Sequence, residues 1–316
     1  MENIKLVTYN IDGLPSRLDL KMLPWVFKPF VWIYKLFKKD TVIKINDNDN
    51  SAVNIWKISK KLSLKNVDII GVQEDFNFHN ELMSSLPNDY SSTKHLGGVD
   101  LSKLFSNTEW ISHFPLPRFK ADGLNLIFNK NKIKIKHEEI VRWKKSYGYI
   151  SHANDVLTHK GFRFYIVNVN DEVDLDVYIL HMDADFYNEA ERPNVTKDIN
   201  ARENQLRQLS KFIIDRYTFG ASNPIIVMGD TNSADKYEWD VNNIIDNFFE
   251  PINKTSTLRI KEAIPTNFND VDKIFYINNL NSKFKLDIVD CYFDYDFDGL
   301  SDHKPLMAVF KIEENE

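Results

Sequence analysis

IIVMGDTN, residues 225–232, sets four apolar residues ahead of a glycine, an aspartate and an asparagine. Such a run reads as a buried strand that leaves the core near Gly229 and delivers the side chains of Asp230 and Asn232 beyond its end. The pattern recurs along the chain. LVTYNIDG (6–13) places Asn10 after a strand, VDIIGVQED (67–75) places Glu74 after another, and VYILHMD (177–183) places His181 after a third. LSDHKPL (300–306) then puts Asp302 and His303 just ahead of a last strand. Any one of these is explained by turn chemistry, because Asp, Asn and Gly are the residues that turns demand. Five in one chain are not, and they point to a cleft shared by several strand ends.

Around these ends the apolar runs predict strands at 4–9, 67–72, 124–129, 162–168, 176–181, 224–229, 271–277, 286–293 and 305–312. Apolar residues at helical spacing predict helices at 52–64, with Ala52, Ile55, Trp56 and Leu62 on one face, and at 200–216, with Leu206, Leu209 and Ile213. Strands interleaved with helices make an α/β chain. Neither a repeat nor a Gly/Ser linker divides residues 1–316, and INDNDNS (45–51) reads as a loop that caps the helix beginning at 52, so one catalytic-sized domain is expected.

With 43% hydrophobic residues the 316-residue chain can bury a sizeable core. Its one cysteine, Cys291, excludes an intrachain disulfide and a cysteine-based zinc cluster, and its apolar surroundings DIVDCYF make it a core residue. The formal net charge of −6 provides no general basic field for a polyanion, which weighs mildly against nucleic acid. The start, MENIKLVTYNIDGLP, lacks the basic, continuously apolar character of an export signal, and a cytoplasmic location is expected.

The polar residues suit hydrolysis of a phosphate diester. Mg²⁺ is a hard cation that binds through one or two carboxylates together with substrate oxygens, so Glu74 with an Asp/Asn group is a sufficient protein share, and Mn²⁺ is the alternative. No cage of histidines and cysteines is legible, which argues against zinc. His303 is poised by the ordinary pKa of imidazole to accept a proton from water.

Taken together the five strand ends resemble the endonuclease/exonuclease/phosphatase superfamily, which contains pancreatic-type deoxyribonuclease, abasic endonucleases, inositol polyphosphate 5-phosphatases and neutral sphingomyelinases. The resemblance runs from Asn10 to His303. It implies a four-layer α/β sandwich of the DNase I-like kind, two mixed β-sheets packed face to face with helices outside and a site at one edge. It implies further that Asp272, in VDKIFYI, orients His303, leaving Asp302 free to act near the metal. Asp230 and Asn232 would position water and phosphate, Asn10 would donate to a phosphate oxygen, and His181 would contact the phosphate or the leaving group. Asp122, in KADGLNLIF, is an orienting partner for His181 or a plain turn residue.

Within the superfamily, DVLTHKGF (155–162) and ARENQLRQLSKFI (201–213) resemble neutral sphingomyelinases, where an Asp and a Lys-Gly pair precede the strand leading to the histidine and an Arg-x-x-Gln-Leu helix follows. Asp155, Lys160 and Gly161 keep that spacing, as do Arg202, Gln205 and Leu206. Without the resemblance Lys160 and Arg202 would read as solvated surface residues. YNIDGL (9–14), GDTN (229–232) and SDH (301–303) also resemble the tyrosyl-DNA phosphodiesterase 2 family, so a DNA phosphodiesterase, or a general DNase-like nuclease, is the second expectation. A catalytically inactive binding module is a third, although none of the expected site residues has been lost.

Residues 22–39, MLPWVFKPFVWIYKLFKK, form an apolar insertion between Asn10 and Glu74. Two prolines and internal lysines make it too interrupted to span a bilayer, which takes about 20 apolar residues. It is either packed against the protein's own core or laid in a membrane interface, with Trp25, Phe27, Phe30 and Trp32 dipping in and Lys28, Lys35, Lys38 and Lys39 on anionic headgroups.

Overall fold

From the N-terminus the elements run β1 (Glu2–Asn10), α1 (Ser51–Leu62), β2 (Ile69–Gln73), α2 (His79–Met83), β3 (Tyr90–Ser92), β4 (Val99–Asp100), β5 (Arg118–Phe119), β6 (Asn125–Asn129) and β7 (Ile133–Arg142). They continue with β8 (Gly161–Val169), β9 (Val173–His181), α3 (Arg192–Thr218), β10 (Ile225–Asp230), α4 (Val241–Asn253), β11 (Leu258–Glu262), β12 (Asp272–Asn279), β13 (Phe284–Phe293) and β14 (Leu306–Glu314). The structure is a computed structural model that describes residues 2–13, 51–76, 78–96, 99–100, 118–119, 121–147, 158–184, 192–233, 241–267 and 270–315. Asp155 and the apolar insertion at 22–39 lie outside the described residues.

Two six-stranded sheets, ordered β13-β14-β1-β2-β6-β3 and β11-β12-β10-β9-β8-β7, pack face to face. Period-two alternation decides what each strand contributes. In β1, Ile4 and Leu6 face inward between the sheets, as do Leu175, Val177 and Ile179 of β9, Ile226 and Met228 of β10, and Ile274 and Tyr276 of β12. The opposite faces meet helices. Val7, Tyr9, Ile70 and Val72 pack on Ile55, Ile58 and Leu62 of α1 and Leu82 of α2. Trp56, expected on the buried face of α1, is instead exposed, with Lys60 Nζ 4.0 Å from its ring centroid. Tyr178, Leu180, Ile225 and Val227 pack on Leu206, Leu209 and Ile213 of α3 and on Ile244, Phe248 and Ile252 of α4. The result is the four-layer α/β sandwich expected from the sequence. Cys291 is buried in the inter-sheet core.

Strand polarity brings the five sequence ends to one edge. β1 and β2 run parallel, and β14 runs against β1 with Thr8 opposite Leu306, so the ends of β1 and β2 lie beside the start of β14. In the other sheet β9 and β10 run parallel with His181 opposite Asp230, while β12 runs against β10 with Asp272 opposite Asp230. Among the described residues no helix is long and apolar enough to cross a membrane.

Candidate phosphate-handling site

Continuing the inward series past the apolar residues predicts the orientation of four polar side chains. After Ile4, Leu6 and Thr8 comes Asn10. After Leu175, Val177 and Ile179 comes His181, after Ile226 and Met228 comes Asp230, and preceding Ile274 and Tyr276 is Asp272. All four are buried at the edge of the inter-sheet space. Glu74 arrives differently. It follows β2 in the left-handed region at φ 61, as do Asp12 at φ 48 and Asn232 at φ 50 beyond their own strands. Of the three, Glu74 is the unusual one, because Asp and Asn enter this region readily, as Asn66, Asn170 and Asp171 also do.

Asp230 is the hub. Its Oδ1 accepts from the Asn232 backbone amide at 2.8 Å, and its Oδ2 accepts from Asn10 Nδ2 at 3.0 Å. The same Oδ2 lies 3.5 Å from His181 Nε2 and 3.7 Å from His303 Nε2. Asn10 Nδ2 also donates to Glu74 Oε1 at 3.3 Å, and the Asp12 amide donates to Asn10 Oδ1 at 3.1 Å, fixing which way the Asn10 amide faces. Asn232 Nδ2 donates to the Met182 carbonyl at 3.0 Å. Gly229, at φ 150, is required just before the hub, because a Cβ there would stand 2.0 Å from the Leu180 carbonyl oxygen.

His303 Nδ1 is 2.7 Å from Asp272 Oδ2, the pairing expected for it. The backbone that carries it is tied to β1, since Ser301 Oγ donates to the Asn10 carbonyl at 2.8 Å and accepts from the His303 amide at 3.1 Å. Asp302 stands on the rim with 74% of its side chain exposed, 4.0 Å from His303 Nε2.

Burial and the neighbouring charges sort the two histidines. Burial opposes a charge on His303, but Asp272 and Asp230 overcome it and lift the imidazole to about 11. Burial and the nearby Lys160 ammonium hold His181 well below the ordinary histidine value, against the pull of Asp230. Asp230 would be raised by burial, yet His303, His181 and Lys160 bring it below the usual carboxylate range. Burial pushes Glu74 up to about 7, with Lys160 and Asn10 opposing. The cluster therefore holds one imidazolium, one neutral imidazole and an ionised aspartate at neutral pH.

Lys160 is buried, not a solvated turn lysine, and its Nζ donates to the Met182 carbonyl at 3.2 Å. The glycine that follows it has a steric reason: a Cβ on Gly161 would meet the Val141 carbonyl oxygen at 2.1 Å, where β8 pairs with the end of β7. Arg202 is likewise buried and not on the helix surface. Gln205 of α3 accepts from the Asp183 amide at 3.1 Å and donates to Asp183 Oδ1 at 2.7 Å and to the Lys145 carbonyl at 2.9 Å. The Arg-x-x-Gln pattern is thus a clamp on the segment that leaves β9 after His181. Trp143 Nε1 closes the other side by donating to the His181 carbonyl at 2.7 Å.

Asp122 does not orient His181. Its two carboxylate oxygens accept from Arg163 Nε and Nη2, each at 2.7 Å, in a buried bidentate pair, and no described residue partners His181 Nδ1. Sequence reading missed Trp143, Asp183 and Ser301. The apolar-then-polar signal was available for Asp183 alone, two residues after His181 in VYILHMD.

The donor set at Glu74, Asn10 and Asp230 is oxygen-rich and suits a hard divalent cation. Among the described residues Glu74 Oε1 has the 3.3 Å contact from Asn10 as its one hydrogen bond, which leaves its carboxylate able to take a metal. Asp230, Asp272 and His303 also converge closely enough to hold an ion.

No family model matches the chain, and no curated relative matches it. Solved structures do. Beta toxin 275-280 from Staphylococcus aureus aligns at TM-score 0.57 and 17% identity over 96% of this chain and 99% of that one. Sphingomyelinase C from Streptomyces griseocarneus aligns at 0.57 and 15%, over 98% and 99%. TDP2 from D. rerio, complexed with single strand DNA product, aligns at 0.53 and 14%, over 98% and 100%. At such identities the likeness speaks for architecture alone: the chain has the DNase I-like α/β-sandwich fold of these structures.

Proposed function

We propose that this chain is a divalent-metal-dependent phosphodiesterase that hydrolyses a phosphate ester by in-line attack of water. One observation carries the reading: Asn10, Glu74, His181, Asp230, Asn232, Asp272 and His303, from ends of both sheets, converge on one buried edge with Asp230 at the hub. Mg²⁺ held by Glu74, with Mn²⁺ as the alternative, would polarise a phosphoryl oxygen and offset charge that develops on it. Asn10 and Asn232 fix the hub, Asn10 by donating to Asp230 and Glu74 and Asn232 through its backbone amide.

The charge states revise the division of labour expected from sequence. His303, cationic and aimed by Asp272, is suited to bind a phosphate oxygen and to stabilise the charge gained in the transition state. Asp230, ionised beside it, is the group placed to accept the proton of the attacking water. His181 stays neutral and can hydrogen-bond the phosphate or the leaving oxygen. Lys160 adds a fixed positive charge behind the cluster, as a substrate-proximal residue.

A sphingomyelinase-like phospholipid phosphodiesterase is the first choice of substrate class. Support comes from the Lys160–Gly161 segment and the Arg202–Gln205 clamp, both buried against the site, and from the likeness to a sphingomyelinase C structure. Asp155 and a membrane contact through 22–39 belong to the same reading. The second choice, a DNA phosphodiesterase, is favoured by the likeness to TDP2 with a DNA product. A side-by-side assay of sphingomyelin, lysophospholipids, plasmid DNA and a 5′-tyrosyl oligonucleotide, each with Mg²⁺ and with EDTA, separates them. Turnover of sphingomyelin with Mg²⁺ alone is expected. Turnover confined to either DNA substrate would replace the lipid reading, and none on any substrate would favour a binding module.

A further inference from the structure

Asp75, His79 and His95 form a second cluster beside the Glu74 turn. They come from three stretches of chain: Asp75 directly after Glu74, His79 at the start of α2, and His95 beyond β3. One ligand atom from each lies within 4.8 Å of the other two. His79 Nδ1 is 2.6 Å from Asp75 Oδ2, and His95 Nε2 is 2.8 Å from the Asp75 carbonyl and 4.0 Å from Asp75 Oδ1. The two imidazole rings stack at 4.6 Å with an interplanar angle of 13°.

Hydrogen bonding alone leaves this cluster unfinished. Asp75 is 1% exposed, Asn125 Nδ2 donates to its Oδ2 at 3.1 Å, and its Oδ1 is buried with no hydrogen-bond partner among the described residues. A buried carboxylate oxygen left this way is costly, and a histidine nitrogen stands within reach of the same ion. His95 Nε2 would have to give up its hydrogen bond to the Asp75 carbonyl, its proton passing to Nδ1, before it could bind an ion, whereas support for His79 is already in place. His79 Nε2 lies 3.1 Å from Ser92 Oγ. If the imidazole proton moves from Nδ1 to Nε2, Nε2–H donates a hydrogen bond to Ser92 Oγ and Nδ1 presents a lone pair beside Asp75, with no net proton lost from the ring. His79 and His95 keep 16% and 25% of their side chains exposed, which gives an entry path.

We propose that Asp75, His79 and His95 bind a borderline-soft divalent cation of the zinc class. Two imidazoles and one carboxylate are a ligand set for zinc and its neighbours, whereas magnesium takes oxygen ligands and water. Ligand atoms around a tetrahedral zinc stand roughly 3.3–3.5 Å apart, so a side-chain closure of about 1 Å completes the set, leaving a fourth position for water. The ion would pin α2 and the segment after β3 to the turn whose left-handed residue is Glu74. Sequence reading argued against zinc because no cage of histidines and cysteines was legible, and the turn after β2 and the chain reversal through β3 are what join His79 to His95. The inference stands apart from the proposed reaction.

The test is calorimetric titration of the full chain, stripped with a chelator and dialysed, with Zn²⁺ in the presence of excess Mg²⁺. One zinc per chain is expected. Its affinity should fall by at least about a hundredfold in His79→Gln and in His95→Gln, by about tenfold in Ser92→Ala, which removes only the support behind His79, and should survive in His303→Gln. Circular dichroism of each variant distinguishes lost ligation from lost folding, and the Ser92→Ala arm avoids removing a ligand. Absence of zinc from wild type overturns the proposal. So does uptake unchanged in both histidine variants, or uptake lost in His303→Gln and kept in His95→Gln, which would put the ion at the phosphate-handling edge.

Discussion

Asp230 holds both its oxygens engaged at once, so a change of charge there is felt by Asn10, Asn232 and both histidines. Asp230→Asn and His303→Ala should each lower kcat by roughly a hundredfold to ten-thousandfold while KM moves far less, because both groups act on the transition state. Steady-state kinetics where chemistry limits the rate checks this, and a loss below about tenfold in either variant removes that residue from its role. His303 also makes a pH prediction for the metal-free chain. Its proton is held more tightly folded, at about 11, than at the ordinary value of 6.5. The stability it contributes is therefore fully present below pH 6.5 and is lost as pH rises toward 11. Thermal melts in EDTA should show wild type losing its advantage over His303→Gln across that window. A gap that widens with rising pH contradicts the assignment.

Helix α3 shows how an element can carry a function without touching substrate. Its apolar stripe of Leu206, Leu209 and Ile213 seats it on the sheet, and that seating brings Gln205 to Asp183. Gln205→Ala would leave the buried Asp183 amide and carboxylate short of partners, a cost of about 1–3 kcal/mol per unsatisfied group. Urea denaturation should register that loss together with a fall in kcat. Unchanged stability would mean that the clamp is dispensable. The stripe was legible in the sequence, and so was the Arg-x-x-Gln spacing, but a buried glutamine looks the same as an exposed one until its partner is known. β7 was not legible. Its IKIKHEEIVR alternates only as far as Lys136, and the bulge between Ile135 and His137 breaks the period in this edge strand, where Lys134 and Lys136 pair with Asp171 and Asp174. α4 was hidden by its asparagines and Pro251, although Ile244, Phe248 and Ile252 recur at i, i+4 and i+8. Asp122 misled for a different reason. A turn aspartate gives no sign of the arginine 41 residues away that claims it.

Across the whole molecule, two sheets with matched strand polarity turn five separate sequence ends into one edge, which is why the motifs were readable before the site was. The substrate that reaches that edge is a matter of what surrounds it. If residues 22–39 carry the chain to a lipid surface, wild type should sediment with anionic vesicles and a Trp25→Ser, Trp32→Ser double mutant that remains folded should not. Equal sedimentation of both would remove the segment as an anchor and leave the chemistry untouched. The proposed chemistry would rest on a divalent cation at Glu74, whose Oε1 shares the Asn10 amide group with Asp230. The most direct measurement is hydrolysis of bis-p-nitrophenyl phosphate by wild type and Glu74→Gln, each with saturating Mg²⁺, with EDTA, and with Mg²⁺ restored. The predicted result is turnover by wild type that EDTA abolishes and Mg²⁺ restores, with Glu74→Gln inactive throughout. Turnover that persists in EDTA, or a Glu74→Gln variant that keeps most of the wild-type rate at saturating Mg²⁺, would contradict it.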